Sequence, residues 1–373
     1  MITHKYTSLK KPIYCQGGYY HMPVLELVRR LPGYSGEIGL NGTRYPVSQL
    51  QLHRPRGHYI HGIWLRLANA LMNKGGLRGI GHPCVPGLFY PQIDPTRGTK
   101  QIDSWPCGLT TLAVNVTGCP SIPHAVSFIA EPFMALSVRS EWTHFEHYIQ
   151  AMKSKYRIRV RKVLDTSAVF DRCSCHGSTD VAWLKQAGEL LASTLATRVV
   201  ALPENIPAML LSFSEVFGHN FLMYRYSLKG HVVGFVTGIK IGDTLHALHL
   251  GYDAERTDGM HLYERCLLDM IDLGIQMGAK TVQMGRTATE IKSTLGAEPI
   301  ENSMVFFIRN PTIRWLLSTY SRNFYQPASY TLRHPFSSIG MKGNQNAPQS
   351  VEKIITDATG TSKPTRPSYQ PSG

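Results

Sequence analysis

The stretch TVQMGRTATEIKSTLGAEP, residues 281–299, decides how the C-terminal half of this chain is read. A short apolar strand, Thr281 to Met284, stops at Gly285. A polar turn follows, then a short helix around Thr289 to Leu295 that carries Lys292 just ahead of Gly296. Upstream, Gly259 to Gly278 repeats apolar residues at helical spacing, with Leu262, Tyr263, Cys266, Leu267, Met270 and Ile271 on one face. Before that lie three strand-like runs: FLMYRYSL (221–228), HVVGFVTGIKI (231–241) and TLHALHLGY (244–252). Lys229-Gly230 and Gly242-Asp243 separate them, and both pairs suit tight antiparallel hairpins. The helix between TLHALHLGY and TVQM makes a β-α-β crossover, so those two strands are expected to be parallel neighbours in a mixed sheet. Ligands of such sheets gather beyond the C-terminal ends of the strands, where the crossover begins.

The rest of the chain is less regular. The first 125 residues are punctuated by Gly and Pro, as in GGLRGIGHPCVPGLFYP, and read as short strands and loops with one helix near His61 to Met72. HAVSFIAEPFMALSV is β-rich. It leads into RSEWTHFEHYIQAMKSKYRIRVRKVL, which reads as one helix capped by Ser140. Phe145, Ile149, Met152, Tyr156, Val160 and Val163 form its apolar stripe. Helices are expected over Thr179 to Ser193 and Glu204 to Phe217, and a strand over Asn302 to Ile308. From about Ser338 the chain is Gly, Ser, Pro, Asn and Gln with little apolar content, the composition of a disordered tail.

With 373 residues, the chain is long for one ordinary core and suits two domains or a duplicated fold. Hydrophobic residues at 43% and charged residues at 17% are globular proportions, and no apolar run is long enough to cross a bilayer. MITHKYTSLKKP lacks the apolar segment of a signal peptide. Seven scattered cysteines fit reduced thiols better than a disulfide framework, so a cytoplasmic setting is expected, peripheral to the inner face of the membrane at most. The 39 Lys and Arg outnumber the 25 Asp and Glu to give a net charge of +14, which favours polyanionic partners such as nucleic acid, anionic lipid or phosphorylated substrates. CSCH, 173–176, has poor zinc spacing, and no metal is expected. Ser-His-Asp, P-loop and dinucleotide signatures are absent.

Two stretches carry a family resemblance. Residues 140–164 are similar to a helix that begins near a Trp and ends in a basic K-Y-R segment. Residues 251–299 follow a pattern of glycine, helix, strand, glycine, then a lysine followed by a further Gly. Together they resemble the FemAB-like acyltransferases, built from two tandem GNAT folds, and the match runs from about Met134 to Ile308. The resemblance implies an α/β fold of the α+β mixed-sheet kind with tandem GNAT-like lobes. A first lobe would occupy 1–138, a basic connecting helix 139–177, the C-terminal acyltransferase lobe 178–337, and the tail 338–373. It implies transfer of an acyl or aminoacyl group to an amine by direct attack. The donor would be acyl-CoA, acyl carrier protein or aminoacyl-tRNA, with no permanently bound cofactor. The acceptor amine would sit on a cell-envelope or lipid precursor, a long-chain amine included. A catalytically silent module binding RNA or anionic membrane, and a small-molecule N-acetyltransferase, are the alternatives. GYDAERTDGMH holds Arg256 and Gly259 but no tight glycine cluster of the kind that cradles pyrophosphate. That departure favours a donor other than acetyl-CoA.

Attack by an amine requires loss of a proton, stabilisation of an oxyanion and alignment of the donor. Lys292, which matches the family lysine, is the first candidate for oxyanion or donor charge; its bland reading is an exposed helix lysine. Arg286, with Gly285 and Thr287, lies just past the strand end as a donor-binding candidate. Thr287 and Thr289 are better explained as caps of the short helix. His246, Tyr252 and Asp253 are candidates for a proton relay, since strict alternation puts His246 and Tyr252 on one face and His249 on the other. A structural histidine and a turn aspartate are the bland readings. Lys153, Arg157 and Arg161 form one basic row on the 140–164 helix, and Lys155, Arg159 and Lys162 a second; either suits a phosphate-bearing substrate or a tRNA end.

Overall fold

Alternating apolar residues and glycine-bearing turns build two mixed β-sheets. The computed structural model describes residues 21–40, 43–50, 77–82, 84–85, 87–88, 110–116, 125–175, 181–195, 205–308, 310–323 and 329–337. The order is α1 (His21–Arg30), β1 (Tyr34–Leu40), β2 (Thr43–Leu50), β3 (Leu77–Ile80), β4 (Thr110–Val116), β5 (Ala125–Ile129) and β6 (Phe133–Ser137). Next come α2 (Phe145–Gln150), α3 (Ser154–Thr166), β7 (Asp171–Ser174), α4 (Val181–Leu195), α5 (Ile206–Phe217), β8 (Phe221–Leu228), β9 (His231–Ile241) and β10 (Thr244–Tyr252). The chain continues through α6 (Leu262–Gln276), β11 (Thr281–Gln283), α7 (Thr289–Thr294), β12 (Glu298–Ile300), β13 (Ser303–Ile308) and α8 (Pro311–Asn323). The helix expected near His61 to Met72 and the tail from Ser338 fall outside the described residues.

The first sheet runs β1-β2-β3-β4-β13-β5 and the second β12-β6-β11-β10-β9-β8-β7. Two pairs are parallel, β3 with β4 and β10 with β11; the latter is the crossover expected from the sequence. Its two flanking hairpins close as their turns dictate: Lys229 and Gly230 both take positive φ, as does Gly242. The sheets exchange strands. β6, which precedes residue 138, lies in the second sheet, while β13 returns to the first between β4 and β5. A division of the chain at residue 138 therefore does not separate the sheets.

Apolar packing follows the same plan. On one face of the second sheet, α1, α4 and α5 share a core with Ile80, Val85 and Phe307 from the other half of the fold. On its opposite face, α2, α3 and α6 pack against β8 to β11. The 140–164 segment differs from the single helix expected. It breaks at Ala151–Lys153, where Met152 bridges to Phe336 and the Lys153 amide donates to the Pro335 carbonyl at 2.7 Å. The apolar stripe survives because Met152 stays buried through the break. Ser140 does not cap; His144 occupies the N-cap position, without a side-chain bond. Asn205 does cap α5, accepting from the Ala208 amide at 3.1 Å.

One charged cluster ties α6 to the sheet. Buried Asp269 accepts from Arg172 at 2.7 Å, from Arg265 at 3.0 Å and from the Tyr226 hydroxyl at 2.7 Å. Burial raises the Tyr226 phenol well above its ordinary value, so it remains a donor. Arg265 also reaches the Ser167 hydroxyl at 3.3 Å, joining α6 to the end of the basic helix. Removing one member of such a set leaves the others' charge uncompensated. We predict that Asp269→Ala lowers unfolding free energy by about 3–5 kcal/mol in urea denaturation. A loss below about 1 kcal/mol, the range of an exposed pair, would show that the cluster does not hold α6 in place.

Candidate active site

β10 and β11 pair over three residues only, Thr244–His246 against Thr281–Gln283. Beyond His246 the strands diverge. β10 continues to Tyr252, while the chain after Gln283 pairs with β6 through Met284 N to Met134 O at 2.8 Å and Met134 N to Gly285 O at 3.0 Å. A wedge opens between two strands whose backbones both carry amide groups, the arrangement in which a donor carbonyl can be received.

A bulge shapes the β10 side. The β9–β10 register shifts between Ala247 and Leu250, so β10 carries one extra residue there. One extra residue reverses the alternation of faces. His246 and Tyr252 therefore lie on opposite faces, contrary to the strict period of two. Tyr252 packs on the α6 side, 6.3 Å from the Tyr263 ring. His246 and His249 share the other face. His249 Nε2 lies 2.9 Å from the Cys84 carbonyl, its ring stands edge-on to Phe213 at 5.2 Å, and its Nδ1 is 3.3 Å from the Thr237 hydroxyl. His246 Nδ1 is 2.6 Å from Gln283 Oε1, which makes Nδ1 the protonated nitrogen. This pair sits at the point of divergence.

The relay expected from His246, Tyr252 and Asp253 is not assembled. Burial pushes His246 down to about 4, partly offset by its bond to Gln283, so it does not titrate near neutrality. Asp253 organises the turn after β10. Its Oδ1 accepts from the Glu255 and Arg256 amides at 3.1 and 3.0 Å, and its carbonyl accepts from the Thr257 hydroxyl at 2.6 Å. Arg256 is exposed and pairs with Asp253 Oδ2 at 3.4 Å, and Gly259 takes φ +70° ahead of the helix start.

On the β11 side the residues expected at the site do come together. Gly285, Thr287 and Ala288 have φ of 72°, 67° and 50°, a run in the left-handed region that bulky residues avoid. Lys292 holds this turn from α7. It is buried, not an exposed helix lysine, and its Nζ donates to the Arg286 carbonyl at 2.6 Å and the Gly285 carbonyl at 3.3 Å. Arg286 is half-buried with its guanidinium 5.7 Å from the centre of the Phe133 ring. Neither Thr287 nor Thr289 caps α7; Ala288 is the N-cap residue and makes no side-chain bond.

Gln283, Phe133 and Gly87 complete the group and were not anticipated. A Cβ on Gly87 would lie 2.7 Å from the Phe133 ring and 3.3 Å from Gln283 Oε1, so only glycine permits this approach. A polar Gln283 inside an otherwise apolar strand was the one available signal. Gly87 and Phe133 are brought in from distant sequence and gave none. The basic rows part company: Lys153 Nζ binds the His334 carbonyl at 3.1 Å, Arg157 the Gln150 carbonyl at 3.3 Å, and Arg161 pairs with Glu146, while Lys155, Arg159 and Lys162 are exposed. Among the described residues, no group of three His, Cys, Asp or Glu side chains is placed to hold a metal, and no helix is long and apolar enough to cross a membrane.

A crossover helix entering a diverging parallel pair is the architecture of an acyltransferase. The family model of the acetyltransferase (GNAT) domain matches residues 151–293, which span α3 through the braced turn. The chain carries a GNAT acetyltransferase domain, and the FemAB-like resemblance of its sequence holds at the level of that superfamily. No curated protein matches it by sequence. Solved structures similar to it include the C-terminal domain of a protein assigned as a lysylphosphatidylglycerol synthetase from Agrobacterium fabrum (10% identity, 80% of this chain and 91% of that one, TM-score 0.47). FemX (10%, 80% and 93%, 0.43) and a GCN5-related N-acetyltransferase from Kribbella flavida (10%, 79% and 96%, 0.40) are others.

The buried imidazoles set a pH dependence. Burial lowers both His246 and His249 to about 4 from an ordinary 6.5. Below about pH 6.5 the unfolded chain takes up protons that the folded chain refuses, so stability falls as pH is lowered towards 4 and is independent of these groups above that window. The limiting slope is about 1.4 kcal/mol per pH unit for each histidine. Denaturation midpoints at about pH 5 should be well below those at about pH 7; equal midpoints would contradict neutral burial of the pair.

Proposed function

We propose that the protein is an N-acyltransferase that moves an acyl or aminoacyl group from a thioester or ester donor to an amine on a cell-envelope or lipid precursor. The observation that carries this reading is the divergence of β10 from β11 after His246 and Gln283, within the residues that match the acetyltransferase domain. The donor would enter the wedge with its carbonyl towards the β10 backbone amides. The amine nitrogen then bonds to the carbonyl carbon, the C–S or C–O bond breaks, and the proton leaves with the departing thiol or alcohol. With His246 buried and Asp253 engaged in its turn, alignment and oxyanion stabilisation are assigned more of the catalytic effect than a proton relay.

Within this reading Arg286 supplies positive charge beside the wedge. Lys292 acts as a positioning residue, keeping the carbonyls of the turn fixed so that Arg286 and the neighbouring amides face the donor. The turn Asp253–His261 closes on itself through Asp253 and Thr257 and has no glycine cluster. That favours acyl carrier protein or aminoacyl-tRNA over acetyl-CoA as donor, with long-chain acyl-CoA retained. Exposed Lys155, Arg159 and Lys162 suit the phosphates of such a carrier or tRNA end.

Mass spectrometry of lipids and wall precursors from cells with and without the gene tests the reaction class. An N-acylated species should disappear with the gene; an unchanged profile removes the main support for envelope acylation. In purified protein, Arg286→Ala should lower kcat/KM by about 10- to 100-fold, a transition-state loss of about 1.4–2.7 kcal/mol. Lys292→Met, which keeps most of the buried volume, should lower kcat by about tenfold with little change in KM. Full activity in both variants would place the chemistry elsewhere.

A further inference from the structure

Helix α8 presents an apolar face that the rest of the described protein leaves open. Trp315, Leu316 and Tyr320 are 65%, 56% and 51% exposed, and their positions fall within an arc of about 140° on the helix. The other side of α8 is fixed to the fold. It packs on β5 and β13, Ser321 donates to the Ser127 carbonyl at 3.3 Å, and Arg314 donates to the Ile308 carbonyl at 3.1 Å. Asn310 caps its first turn through the Thr312 and Ile313 amides at 2.9 and 3.1 Å. The open face is thus a property of an anchored helix. Ile129 of β5, the strand beneath α8, is also 54% exposed.

The charge around this face has one sign. From Asn302 to Val351 the sequence contains no Asp or Glu, while Arg309, Arg314, Arg322, Arg333 and Lys342 fall within it. A Trp and a Tyr at the rim of an aliphatic patch, set in acid-free basic sequence, is the chemistry of a helix lying at the surface of an anionic bilayer. A second copy of this chain would bring the same basic segment against itself, which like-charge repulsion opposes. Exposed Leu316 and Ile129 add aliphatic surface that stacking on nucleobases does not use.

We propose that α8 docks the protein onto anionic lipid, with Trp315, Leu316 and Tyr320 entering the interfacial region and the flanking arginines meeting lipid phosphates. This surface is separate from the basic face of α3, and the proposal does not depend on the acyl-transfer reading. For that second reading it has one consequence: a lipid-borne amine would be taken from the bilayer to which the enzyme is docked.

Flotation of the full chain with phosphatidylcholine vesicles, with and without phosphatidylglycerol, tests it. The chain should float with the anionic vesicles and far less with the neutral ones. The triple variant Trp315→Ser, Leu316→Ser, Tyr320→Ser should lose about tenfold or more in vesicle affinity. Its thermal midpoint should be unchanged, because the three side chains are exposed. A triple variant that floats as well as the parent overturns the proposal and leaves membrane binding, if any, to α3. A parent chain that ignores anionic vesicles also overturns it. So does a triple variant that only converts a dimer to a monomer in light scattering, or only loses affinity for single-stranded RNA.

Discussion

The three-residue parallel pairing of β10 with β11 is the constraint on which the rest of the C-terminal half depends. It is long enough to bring the crossover helix α6 back onto the sheet and short enough to let the strands part at His246 and Gln283. The hydrogen bond between those two side chains closes the paired region from one face. Gly87 and Phe133 close in behind it, so residues from the first half of the chain form part of the wedge's floor. Strand exchange between the sheets has the same effect on a larger scale, since β6 pairs with β11 and β12. The acyltransferase half is thus completed by sequence that lies outside it.

A second set of contacts fixes the far wall. Lys292 holds a turn of left-handed residues by its carbonyls, and α7, which carries Lys292, is held in turn by the segment 329–337. The Thr331 amide donates to Glu290 at 3.1 Å and the Arg333 amide to the Ser293 hydroxyl at 3.1 Å. Phe336 lies against Trp142 and Tyr148 and over Gly296, where a Cβ would approach its ring to within van der Waals overlap. The glycine that first marked the end of the 281–299 stretch therefore serves packing: it admits an aromatic ring. Its positive φ of 90° is a second reason that glycine stands there.

Much of this was legible in the sequence where a local rule governs. The limits of β8, β9 and β10 followed from period-two runs bounded by turn pairs, and the parallel β10–β11 neighbourhood from the crossover rule. The apolar face of α6 followed from helical spacing. What was missed depends on partners remote in sequence. The bulge at Leu248–His249 reversed the faces of His246 and Tyr252, and no local signal announces an extra residue. The break in the 140–164 helix is made by Pro335 and Phe336, nearly two hundred residues away in places. Lys292 was located correctly as part of the turn, but its burial comes from the 329–337 segment and α7 packing on β6, which its own neighbourhood does not show.

The central claim is that the acyl donor lies in the wedge between β10 and the braced turn. Amide hydrogen exchange measures this directly, using whichever of acyl-CoA, acyl carrier protein thioester or aminoacyl-tRNA supports turnover. Donor binding should slow exchange at Ala247–Tyr252 and at Gly285–Ala288 while leaving β7 and β8 unchanged. Protection confined to other elements, with these two segments unaffected, would contradict the account.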